Sequence, residues 1–180
     1  AILLEQRSSS LYNHRAAIKL SNQDIQGSMQ DALTAIELDS TNYSAYISAG
    51  VTFYRLKKYK LAYENYRHAY ELNPDDPTLM ANLAMGLVRV DKFEEALEKI
   101  NTAIKSDTTN AYYYFQKARI YGISNKKQET LDNFKIAIVK GFNGWESLSS
   151  YYDELLPIQN EREFKDFIER NSSVFHVEKK

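Results

Sequence analysis

Arg55, Arg89 and Arg119 are the side chains of this 180-residue chain best suited to recognition chemistry. A guanidinium pairs a carboxylate through two parallel hydrogen bonds, a geometry lysine does not reproduce. Helical spacing puts the three on one face with Ile47, Val51, Tyr54, Met85 and Phe115, and no Asp or Glu shares that face. An apolar lining with a few placed polar groups is what a peptide or ligand site requires. Catalytic groupings are missing by contrast. His14, His68 and His176 show no metal-ligand spacing. No HExxH, GxSxG, GxxxxGK[ST] or GxGxxG occurs. Glu94 and Glu95 are adjacent and diverge on a helix, and Asp75 and Asp76 belong to a turn. Without cysteine there is no disulfide, thiolate metal site or cysteine nucleophile. The reading is a non-enzyme with no cofactor and no metal.

Such a face needs elements that carry it at regular intervals. Shifting the sequence by 34 residues returns the same residue types. One register holds Ala16, Gly50, Ala84 and Ala118, and another Ala35, Ala69, Ala103 and Ala137, with Ala1 one period earlier. Bulkier registers run Ala32, Tyr66, Ile100, Phe134; Tyr12, Tyr46, Met80, Tyr114; and Ile25, Tyr59, Phe93, Lys127. Small residues mark points where two helices cross closely, and large ones fill the space beside them. A single hairpin cannot bury its apolar face, so hairpins stack.

Tyr46, Ala49, Gly50, Phe53, Tyr59, Ala62, Tyr66, Ala69 and Pro74 resemble the tetratricopeptide repeat signature position by position. The resemblance implies an all-α, right-handed superhelical α-solenoid of helix–turn–helix repeats. It places repeats at residues 9–42, 43–76, 77–110 and 111–142, after a stretch 1–8 read as the end of an upstream repeat helix. Residues 143–180 read as a degenerate fifth hairpin that caps the stack, with Trp145 in the core and Pro157 ending a short helix. Ser8–Ser10 reads as a polar break, and Gly141 as a helix C-cap. Lys117, Lys127, Thr130 and Ser28 depart from the family pattern.

In the family this resembles, the first helix of each repeat lines a concave groove. The corresponding residues are Asn13 and His14 in the first repeat, Ile47, Ser48, Val51, Tyr54 and Arg55 in the second, Asn82, Met85 and Arg89 in the third, and Phe115 and Arg119 in the fourth. The amides of Asn13 and Asn82 suit a peptide backbone. The expected function is a non-catalytic protein-interaction scaffold that binds a segment of a partner carrying acidic groups. Alternatives are a small-ligand binder using the tyrosine-rich lining, a regulatory or targeting domain of a larger enzyme-containing chain, and a co-chaperone-like carboxylate binder. The run Leu11–Ala17 resembles the last of these, but His14, Ser44 and Ser48 replace the clamp's asparagine, lysine and arginine.

Hydrophobic content of 43%, charged content of 26% and a net charge of −1 give no pull toward nucleic acid or anionic membrane. No apolar run reaches the roughly 18–20 residues a membrane helix needs. No signal peptide is visible, and the compartment stays open between cytoplasm and periplasm. Ala1 falls inside a repeat register, so the chain reads as a fragment of a longer protein. An exposed N-terminal end of the stack is expected to recruit a second copy.

Overall fold

The computed structural model describes residues 2–142 and 149–170. Trp145, expected in the core, lies outside them. The described residues hold nine α-helices, one 3-10 helix and no strand. They fall into two compact units, 1–92 and 93–180.

The first unit contains α1 (Ile2–Ser21), α2 (Ile25–Leu38), α3 (Tyr43–Arg55), α4 (Tyr59–Leu72) and α5 (Pro77–Val88). Their starts are written in the sequence. Asp24, Asn42 and Asp76 accept hydrogen bonds from Gly27, Ala45 and Thr78 backbone N–H groups, which closes helix N-termini that would otherwise leave bare donors. Pro77 opens α5, where its missing N–H costs nothing. The turns inside the hairpins use left-handed residues, Gln23 at φ 64°, Lys57 at 57° and Asp91 at 61°. They recur at the repeat interval although none is glycine.

Helices cross where side chains are small. Ala16, Ala32, Ala35, Ala45 and Ala62 are fully buried. A Cβ on Gly50 would stand 2.5 Å from a ring carbon of Tyr66, so α3 and α4 can approach only because that Cβ is absent. Ser28 occupies a site where alanine is usual, and its hydroxyl shares a 3.0 Å hydrogen bond with Thr52, both side chains buried.

The expected break at Ser8–Ser10 is absent, and α1 runs straight through it. Buried Ser9 explains this. Its hydroxyl donates to the Ala35 carbonyl at 2.8 Å and accepts from Asn42 Nδ2 at 2.8 Å, so it ties α1 to α2 instead of capping a new helix. Nearby, Asp31 is 3% exposed and is held by Arg15 at 2.6 and 2.7 Å and by Lys19 at 2.9 Å. Hydrogen bonding from Arg15 is the main force that lowers its carboxyl from the ordinary 3.8 to about 2, against the opposing effect of burial.

The second unit contains α6 (Phe93–Ser106), α7 (Ala111–Ile123), α8 (Lys127–Val139), the 3-10 helix Ser149–Ile158 and α9 (Arg162–Arg170). Asn110 caps α7, and Gly141 ends α8 in the left-handed region at φ 87°, the glycine cap the sequence indicates. Buried Thr130 donates to the Lys126 carbonyl at 2.7 Å, and Lys127 pairs with Glu161 at 2.7 Å, so these departures from the family pattern are satisfied locally. Phe134 packs against Phe164 and Phe167 of α9 with ring centres 5.3 and 5.2 Å apart. Leu155 and Ile158 of the 3-10 helix complete that core. Pro157 lies inside the 3-10 helix and does not end it.

Arg119 of α7 fixes this segment. It is 3% exposed, its Nε donates to Glu154 Oε2 at 2.6 Å, its Nη1 donates to Gln116, and its guanidinium lies 3.5 Å from the Tyr151 ring centre. Gln116 donates in turn to the Tyr112 hydroxyl at 2.6 Å, and enclosure of that hydroxyl pushes it up to about 12. A Cβ on Gly122 would sit 1.8 Å from the Glu154 carbonyl oxygen, so only glycine lets the segment lie this close to α7.

Two outcomes are expected. Asp31 has a lowered pKa, so its contribution is complete above about pH 4 and is lost as pH falls toward 2; Asp31→Asn should remove up to about 2 kcal/mol at pH 7 and flatten that acid limb of the thermal-unfolding profile. Glu154→Ala leaves a buried guanidinium without its counter-charge and should cost about 3–5 kcal/mol in urea unfolding, whereas the double variant Arg119→Met/Glu154→Leu should lose much less.

Candidate functional site

The residues expected to form one groove separate by environment. Phe115 and Arg119 are 2% and 3% exposed. Phe115 stacks on Phe142 with ring centres 4.1 Å apart, and Arg119 is committed to Glu154. Neither offers surface to a ligand, because the chain's own 3-10 segment and Phe142 occupy that side of α7. Asn82 and Met85 are also buried, at 7% and 2%, so the expectation of an open amide and thioether on α5 does not hold. Eight of nine positions from Ala81 outward are enclosed up to Val88, with Arg89 the first to emerge.

Of the residues expected in the groove, those that stay accessible in the first unit lie on α1 and α3 and at the end of α5. Asn13 and Ser48 are half-buried and joined, Ser48 Oγ donating to Asn13 Oδ1 at 2.6 Å. This couples α1 to α3 and leaves the Asn13 Nδ2 group outside that bond. His14 is exposed, with Nδ1 2.7 Å from the Ser10 carbonyl. A carbonyl only accepts, so Nδ1 carries the proton there. Ile47 and Val51 are half-buried on α3 and supply apolar area.

At the C-terminal ends of α3 and α5 stand Arg55 and Arg89, where the helix dipole favours positive charge. Arg89 is half-buried and held rigidly. Its Nε donates to the Tyr54 hydroxyl at 2.8 Å, and its guanidinium lies 4.3 Å from the Tyr59 ring centre and 5.3 Å from that of Tyr54. The two rings meet edge to face at 5.3 Å. Tyr59 is a site residue that sequence reasoning missed. It falls in the register of Ile25 and Phe93 and therefore reads as packing.

Arg55 differs. It is half-buried, yet its Nε is enclosed and has no hydrogen-bond partner among the described residues. A buried donor left unpaired costs about 1–3 kcal/mol, more when charged, so this Nε is an unmet demand within the first unit. The described residues hold no cluster of acids and histidines able to ligate a metal ion, and no helix among them is long and apolar enough to cross a membrane.

Comparison with known proteins agrees with this architecture. Residues 43–76 match the sequence profile of the Tetratricopeptide repeat family. Over 79 residues the chain is 32% identical to cell division cycle protein 27 homolog B of Arabidopsis thaliana, a stretch that covers 44% of this chain and 11% of that relative. The chain thus spans about a tenth of that relative's length. Among solved structures, a tetratricopeptide repeat protein from Parabacteroides merdae superposes with a TM-score of 0.65 at 14% identity, over 89% of this chain and 70% of that one. YrrB, described as a TPR protein with an unusual peptide-binding site, superposes with a TM-score of 0.56 at 18% identity, over 93% and 86%. Helical hairpins at the repeat interval, alanine or glycine at the crossings and a matching profile over residues 43–76 give this chain the fold of tetratricopeptide repeat proteins.

Proposed function

We propose that this protein is a non-catalytic interaction module, and that the open side of its first unit binds a peptide segment bearing acidic side chains. The observation that carries this reading is the enclosed, unpartnered Nε of Arg55. A carboxylate is the acceptor that satisfies two guanidinium donors at once. Arg89 adds a second cation at the same register of the next repeat, already oriented by Tyr54 and Tyr59, so little side-chain entropy is lost when it binds. Ile47 and Val51 give the segment apolar area to cover. The half-buried Asn13–Ser48 pair offers amide and hydroxyl groups suited to peptide backbone. Arg119, Phe115, Asn82 and Met85 have no direct part in this site.

Selection of random peptides on the full chain should return sequences enriched in Asp and Glu. Affinity for the strongest of them, read by fluorescence polarisation, should fall more than about tenfold in Arg55→Glu and in Arg89→Glu, a loss of roughly 1.4 kcal/mol or more. Arg55→Lys should lose part of it, because the two-pronged geometry disappears while the charge stays. Peptides without acidic residues, or affinity indifferent to Arg55, would overturn the assignment.

A further inference from the structure

Lys117 of α7 stands where the repeats elsewhere enclose an apolar group. Its counterparts one and two repeats earlier, Leu83 and Ala49, are 5% and 1% exposed, and the residue three repeats earlier is Arg15. Arg15 keeps a counter-charge, because Asp31 accepts from its Nε at 2.6 Å and from its Nη2 at 2.7 Å. In the fourth repeat the register of Asp31 is filled by uncharged Asn133, whose Nδ2 donates to the Glu129 carbonyl at 2.8 Å. Lys117 is half-buried, and no carboxylate among the described residues forms an ion pair with it. Its Nζ lies 5.9 Å from the Tyr121 ring centre, the outer edge of a cation–π contact, and Tyr121 in turn meets Phe93 of α6 at 6.0 Å. Enclosure with no opposing charge lowers the Lys117 ammonium from its ordinary 10.5. The Tyr121 hydroxyl is raised, first by the same enclosure and then by Glu129 of α8 and Glu94 of α6. Lys126 adds an ammonium 4.6 Å from the Phe93 ring centre.

We propose that Lys117 is a covalent modification site, at which small acyl phosphates acylate the side-chain amine ahead of the other described lysines of the second unit. The neutral Nζ attacks the acyl carbonyl carbon. The C–N bond forms as the C–O bond to phosphate breaks, phosphate leaves with that electron pair, and the proton shed by nitrogen goes to water. Both ends of the reaction favour this position. Only the neutral amine carries a lone pair, and a desolvated lysine holds more of that form near neutral pH. The amide product is uncharged, so acylation removes the cost of keeping an uncompensated ammonium partly out of water. Half-burial leaves the nitrogen within reach of a small electrophile. Lys135 is the contrast inside the same unit. It is half-buried as well, but Glu163 holds it at 2.8 Å and raises it, so its lone pair is withheld and acylation breaks an ion pair. Lys127 is paired in the same way with Glu161 at 2.7 Å. The site is distinct from Arg55 and stands whether or not that arginine binds acidic peptides.

The full chain treated with acetyl phosphate at about pH 7.5, and read by mass spectrometry of its peptides, should acetylate at Lys117 at least about threefold faster than at exposed Lys165 or paired Lys135. The Lys117 rate should level off at a lower pH than theirs, the mark of an amine that becomes neutral sooner. In urea strong enough to unfold the chain the three rates should converge, because enclosure is then lost. Lys117 reacting no faster than Lys165 in the folded chain, a rate–pH curve that coincides with that of Lys165, or a preference that survives urea would overturn the proposal.

Discussion

The structure depends first on the absence of side chain at helix crossings. Gly50 against the Tyr66 ring is the tightest case inside a hairpin, and Gly86 against the backbone of Tyr63 is the equivalent case between hairpins. Where Cβ would overlap a ring or backbone atom, the helix axes can be close only if no Cβ exists. Everything else adjusts to this distance. Alanines at 16, 32, 35, 45 and 62 keep it, and the tyrosines and phenylalanines beside them fill the space it leaves. Because the spacing is set at each crossing, side chains on the opposite face of α3 acquire fixed positions as well. Arg55 and Tyr54 inherit their placement from the residues at these crossings.

The arginines show how environment assigns a role that residue type leaves open. Arg119 meets Glu154 within a few per cent of full burial, with an aromatic face beneath it. A pair so enclosed holds a segment in place, since parting it would strand one charge in a low-dielectric interior. Arg89 meets a phenol and two rings, partners that orient a guanidinium. Arg55 has an enclosed donor still unmet. The series runs from paired to oriented to one with an unmet enclosed donor, although all three lie on or directly after α3, α5 and α7. Glu154 decides the difference, and it lies outside the repeats altogether.

That explains what could be read beforehand. Helix positions follow from registers that repeat together, as the hairpins of α3 with α4 and of α7 with α8 show. Caps at Asp24, Asn42, Asp76 and Asn110 follow from side-chain chemistry alone. The left-handed turn positions do not, because Gln23, Lys57, Asp91 and Asn125 share a conformation and no residue type. The groove was legible only in part. Periodicity gives the side of a helix on which Phe115 and Arg119 lie, but it cannot show that Phe142, Tyr151 and Glu154 return to cover that side. Ser9 failed in the same way. As a local signal it reads as a cap, and a partner 26 residues away in the chain, the Ala35 carbonyl, makes it a tie between helices.

One consequence concerns α1 and α3 themselves. Each is a helix with two working sides, one set by stacking and the other by what remains. On α3 the stacking side is closed, through Ala45 and Thr52, and only the Arg55 side is left to interact. On α1 the corresponding stacking side is open at Leu11 and Ile18 while Asn13 on the other side is already tied to Ser48. Asn13 and Ser48 thus link two neighbouring helices through a hydrogen bond of 2.6 Å.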